Sequence, residues 1–170
     1  MQQLEEHLTS ALSGVGVIVF VSGEAGVGKS RLVRDFADAA RARGIRALFG
    51  RAPQLGTMVP FQPFTQSLQP SVRDVELQDP SLERYRSALA KILGLESGTL
   101  IETPAPAIHE GLARLLRVVA GPNGLLLVLE DLHWADADTL AAIEYLSDAL
   151  ASARVLLLIT ERSEPSSAAA

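Results

Sequence analysis

A run of β-branched and aromatic residues, Val15–Ser22, leads directly into Gly23-Glu-Ala-Gly-Val-Gly28-Lys29-Ser30. The residues that follow, Lys29–Arg43, carry Leu32, Val33, Phe36, Ala37 and Ala40 on one helical face, and Gly44 closes that helix. A continuous apolar run reads as a buried parallel strand. The string G-x-x-x-x-G-K-[ST] therefore sits where a strand turns into a helix, the context its chemistry requires. Glycines let the backbone curl so that successive N–H groups point at phosphate oxygens, and the helix N-terminus adds partial positive charge. Lys29 is placed to reach the β- and γ-phosphates, and the Ser30 hydroxyl to ligate Mg²⁺. We expect Gly23, Glu24, Ala25, Gly26, Val27, Gly28, Lys29, Ser30 and Arg31 to hold the nucleotide. Among 15 basic residues only Lys29 and Lys91 are lysines, so a lysine here stands out against an arginine-rich background. The guanine-reading signature N-K-x-D is absent, which points to ATP or ADP.

Such a loop needs a second strand that delivers a carboxylate to the metal. Leu125–Leu129 is solidly apolar and ends in Glu130-Asp131. Ligands of open α/β sheets bind at the carboxyl ends of the strands, where these acids would lie. By position we assign Glu130 to Mg²⁺ and Asp131 to the attacking water. His133 and Trp134 follow at once, read as a turn histidine and a packing aromatic, with a place for His133 near the γ-phosphate as the sharper alternative.

The rest of the chain alternates in the same way. Leu4, Leu8 and Leu12 form the stripe of a short first helix over 3–12. Ile45–Arg51, of mixed polarity, reads as an edge strand. Residues 52–81 hold Pro53, Pro60, Pro63, Pro70 and Pro80 and read as loop with a short helix near Phe61–Leu68. Ser81–Leu93 and Ile108–Ala120 are helical patterns. Asp136 caps a further helix whose Leu140, Ile143, Leu146 and Leu150 are expected to face inward, and Val155–Ile159 is a third apolar strand. Strands alternating with helices imply an α/β domain with a parallel sheet. The small polar tail from Ser163 on is expected to be disordered.

Composition narrows the function. There is no cysteine, which excludes disulfides and thiol catalysis and fits a cytoplasmic setting. A net charge of −5 argues against direct contact with nucleic acid. No apolar run approaches the ~20 residues that span a bilayer.

The string Leu129-Glu-Asp-Leu-His-Trp-Ala-Asp136, with Gly23–Ser30 upstream, resembles the STAND branch of AAA+-type ATPases, above all the ATPase module of large LuxR-type transcriptional regulators. Gly50-Arg51-Ala52, Val59-Pro60-Phe61-Gln62-Pro63-Phe64 and Leu156-Leu-Leu-Ile-Thr160-Glu-Arg162 carry the same likeness, which covers residues 3–165. The resemblance implies a three-layer αβα P-loop NTPase fold with strand order 2-3-4-1. It also implies that Arg162 senses the γ-phosphate with Thr160 beside it. The family's G-R-x-x-E opening is replaced by Met1-Gln2-Gln3-Leu4, and Glu130-Asp131 reverses the commoner Asp-Glu order. We therefore expect a nucleotide-binding domain over 1–165, truncated at both ends and without its lid, and a disordered 166–170.

The first functional expectation is ATP binding with slow Mg²⁺-dependent hydrolysis, Lys29, Asp131 and Arg162 carrying the chemistry and Ser30 and Glu130 the metal. The module would act as the switch of a signal-transducing regulator, with lid and effector domains in cis or in another chain. A small-molecule P-loop kinase is a weaker alternative, since Arg73, Arg84, Arg86, Arg114 and Arg117 are too spread out to form an arginine-dense lid. A non-catalytic interaction fragment is the third; its open sheet edge would favour self-association.

Overall fold

The computed structural model describes residues 1–54, 59–72, 77–97 and 103–163. In chain order the elements are α1 (Gln2–Leu12), β1 (Val17–Gly23), α2 (Lys29–Ala42), β2 (Arg46–Arg51), α3 (Gln62–Leu68), a 3-10 turn (Pro80–Tyr85), α4 (Arg86–Ile92), α5 (Ala105–Ala120), β3 (Leu125–Glu130), a second 3-10 turn (Leu132–Trp134), α6 (Ala137–Ala149) and β4 (Val155–Arg162). The four strands form one parallel sheet in the order β2-β3-β4-β1, the order expected from the resemblance.

Period-two alternation along the central strands sends side chains to both faces. Leu126 and Val128 of β3, with Leu156 and Leu158 of β4, pack against Leu4 and Leu8 of α1 and Val33, Phe36, Ala37 and Ala40 of α2. Leu125, Leu127 and Leu129, with Val155, Leu157 and Ile159, pack on the other face against α3 to α6. Both faces of β3 and β4 are thus covered, which is why their sequences are apolar at every position from Leu125 to Leu129 and from Val155 to Ile159. The result is a three-layer αβα domain.

Four expectations need correction. The Val15–Ser22 run is not buried throughout: among the described residues β1 has β4 on one side only, Val15 is 56% and Phe20 52% exposed, and the strand begins at Val17. Ile18 still packs on the helical layer, but two residues on, on the same face, Phe20 does not. Ser81–Leu93 is not one helix: the Asp79 carboxylate accepts from the Ser81 N–H and starts a 3-10 turn, and α4 begins only at Arg86. α5 begins at Ala105 rather than Ile108, because Pro106 suits a first helical turn. In α6 the inward stripe runs through Thr139, Ala142, Ile143 and Leu146, whereas Leu140 is 47% exposed. The tail expected to be disordered lies outside the described residues beyond Ser163.

One close approach positions the site. α3 crosses β2 so tightly that a Cβ on Gly50 would lie 1.9 Å from the Pro63 carbonyl oxygen. Only glycine permits this contact, which brings Gln66 to accept the Arg51 N–H at 2.7 Å. Among the described residues no helix is long and apolar enough to cross a membrane.

Candidate functional site

β1 ends at Gly23 and α2 starts at Lys29, with the glycine-rich turn between them. Gly26 (φ 79°) and Gly28 (φ 98°) occupy the left-handed region that glycine enters without steric cost. Gly28 is the N-cap of α2 and no side chain caps the helix, so its first-turn N–H groups are open toward the turn. Lys29 folds back across it: Nζ donates to the Gly23 carbonyl at 2.6 Å and the Glu24 carbonyl at 2.8 Å. The parallel register sets Arg162 of β4 beside Gly23, and the Ser22 hydroxyl donates to the Glu161 carboxylate at 2.5 Å.

The two acids after Leu129 part company. Glu130 is 5% exposed and ends β3 on the face covered by α2. Its Oε2 lies 3.0 Å from the Arg51 guanidinium and 3.9 Å from that of Arg34, while Oε1 is buried with no hydrogen-bond partner. Asp131 leaves the strand with φ 59°, and its N–H donates to the buried Thr160 hydroxyl at 3.1 Å. The Asp131 carboxylate, 3.4 Å from Arg51 Nε, is 37% exposed.

A cleft of about 310 Å³ opens between these segments. Lys29, Ser30, Asp131 and Arg162 all line it, as do Ala25, Gly26, Gly28 and Arg31 of the loop. Glu130 does not; its carboxylate lies in a neighbouring depression with Arg34 and Asp38. Sequence reasoning missed Arg51, which touches both acids, and Gln54 and Trp134, which line the cleft. A signal for Arg51 existed, since a β2 strand ending at Gly50-Arg51 and paired in parallel with β3 sets Arg51 level with Glu130.

An uncapped helix N-terminus, a lysine, a free hydroxyl and an arginine around one cleft form a receptor for a polyanion. Comparison with known proteins agrees. The chain is 26% identical over 174 residues to an uncharacterised protein of Rhizobium meliloti (strain 1021), an alignment covering 89% of this chain and 17% of that protein. The chain thus spans about a sixth of that relative's length. A solved structure of Drosophila ORC bound to DNA is similar in fold, with a TM-score of 0.51 and 15% identity over 96% of this chain and 36% of that one. The model of the AAA ATPase domain family matches residues 1–159. With a glycine-rich loop between a strand and a helix of a parallel sheet and nearly its whole length matched, the chain belongs to the AAA ATPase domain family, a nucleotide-binding module.

Proposed function

We propose that the chain binds ATP and hydrolyses it slowly with Mg²⁺, as the cytoplasmic switch module of a larger STAND-type, LuxR-like transcriptional regulator. The observation that carries the reading is the convergence of Lys29, Ser30, Asp131 and Arg162 on one cleft. Main-chain N–H groups of 23–31 grip the phosphates. Lys29 exchanges its two loop carbonyls for β- and γ-phosphate oxygens, a better partner for an ammonium. Asp131, fixed through its N–H by Thr160, orients or deprotonates the attacking water. Arg162 sits beside the loop to stabilise charge on the terminal phosphate.

The donor set fits Mg²⁺. The buried, unpartnered Oε1 of Glu130 is a costly group that a cation would satisfy. Ser30 would hold the ion from the cleft, and Glu130, which the structure turns out of that cleft toward Arg51 and Arg34, would join it only by giving up its bond to Arg51. Among the described residues no cluster of three or more His, Cys, Asp or Glu could hold a metal by itself. Bound Mg²⁺ supplies charge neutralisation at the phosphates.

Calorimetric titration with ATP·Mg²⁺ and ADP·Mg²⁺, followed by release of free phosphate, tests this reading. Saturable 1:1 binding and slow phosphate release are expected. Phosphate appearing on an added acceptor, rather than free in solution, would favour the kinase alternative.

A further inference from the structure

One wall of the cleft is built by a turn with an unusual start. Asp131, at φ 59°, is one of two described non-glycine residues in the left-handed region, the other being Phe61. The cost of such a conformation is carried by bonds on either side. The Asp131 N–H is held by Thr160, and the Trp134 and Ala135 N–H groups donate to the Asp131 and Leu132 carbonyls at 3.0 and 2.9 Å. Asp136 then caps α6 through the Thr139 N–H at 2.8 Å. The turn is therefore a fixed platform.

Its side chains divide by role. Leu132, 5% exposed, plugs the core. Trp134, the single tryptophan of the chain, is 36% exposed and lines the cleft rather than the core. His133 lines the cleft as well, its ring centroid 5.1 Å from that of Trp134 at an interplanar angle of 46°. Among the described residues Trp134 is the ring the imidazole packs beside, and neither the His133 nor the Arg162 side chain has a hydrogen-bonding partner. Two unspent donor side chains thus line the same cleft as Lys29 and Ser30. Asp131 is the acid on the same wall, and Arg51 offsets its charge.

We propose that His133 is the residue by which this cleft distinguishes a nucleoside triphosphate from a diphosphate. Its imidazole donates to an oxygen of the terminal phosphate, and Trp134 braces the ring. On this reading, a polyphosphate anchored at 23–30 reaches the wall formed by 131–134 with its terminal phosphoryl group, where a diphosphate would end short of it; the shared cleft lining is the observation behind it. The inference rests on the reading of the cleft as an ATP site.

Because the chain has one tryptophan and it lies in this wall, its emission reports the event directly. The wild-type chain, His133→Ala and His133→Gln are titrated with ADP and with the non-hydrolysable β,γ-imido analogue of ATP, each with Mg²⁺. Trp134 emission and calorimetry are read together. The wild type should prefer the triphosphate analogue and change its emission with that ligand alone. His133→Ala should lose about tenfold in affinity for the analogue, the effect of one hydrogen bond to a charged oxygen, and keep its affinity for ADP. His133→Gln, which retains a donor, should recover part of the preference. Unchanged ADP affinity shows that the variants are folded. Equal affinity of the wild type for both ligands, or an analogue preference that survives His133→Ala, overturns the inference while leaving the ATP site standing. Failure of the wild type to bind either ligand overturns both.

Discussion

Arg51 and Glu130 are register partners at the ends of β2 and β3, and their side chains meet at 3.0 Å with the carboxylate almost wholly buried. A buried carboxylate deprived of its cation is left uncompensated. Arg51→Met should therefore destabilise the chain by about 2–3 kcal/mol, somewhat below the range for a fully buried pair because Arg51 is half exposed. Adding Glu130→Gln should restore most of the loss. Urea unfolding of the two variants measures this; a single variant as stable as wild type would show that the pair contributes nothing.

Lys29 is the second test. Its ammonium bonds only loop carbonyls here, so removing it should do little to the nucleotide-free fold. At nucleotide a hundredfold above its dissociation constant the wild type should gain about 2.7 kcal/mol of stability. Lys29→Ala should lose most of that gain. The comparison is a pair of melting curves with and without ATP·Mg²⁺, and an unchanged shift in the variant would remove Lys29 from the site.

The exposed flank of β1 predicts association. Its outer edge has no strand partner among the described residues, and Phe20 is 52% exposed on it. Light scattering should show a mass that rises with concentration. Phe20→Lys should suppress that rise without lowering the melting temperature by more than a degree or two, since little apolar area is buried there.

Tyr145 gives a pH signature far from the cleft. Its hydroxyl donates to Glu110 at 2.7 Å. That bond holds the Glu110 carboxyl below its ordinary value, with help from Arg114, and it raises the Tyr145 phenol above its own against the opposing charge of Arg114. A lowered carboxyl contributes stability above its unfolded pKa and loses it as pH falls through the folded value. A raised phenol contributes below its unfolded pKa and loses it as pH rises through the folded value. The bond therefore stabilises between the carboxylate and phenol ranges and at neither extreme. Tyr145→Phe should cost about 0.5–1 kcal/mol at neutral pH, discounted for exposure, and less once Glu110 is protonated. Denaturant unfolding at neutral and acid pH checks the difference.

Much of the fold is local information. The strand–turn–helix around Gly23–Ser30 is written in consecutive residues, as are the apolar runs of β3 and β4, because burial on both faces demands apolar side chains at every position. The errors arose where neighbours decide. Phe20 reads as core but lies at a sheet edge, and Leu140 fits a helical stripe but falls outside the buried one, the stripe through Thr139 and Ile143 being set by what α6 packs on.

The site divides along the same line. Consecutive residues alone picked out the glycine-rich loop, its lysine and the acid pair, since each depends on spacing within one turn or one strand end. Only the folded sheet decided what each acid does with its surroundings. Alternation turns Glu130 toward α2 and two arginines, while the left-handed bend at Asp131 opens its carboxylate to the cleft. The partner that ties them together, Arg51, is 79 residues from Glu130 in the chain and meets it only because parallel pairing of β2 with β3 fixes the register.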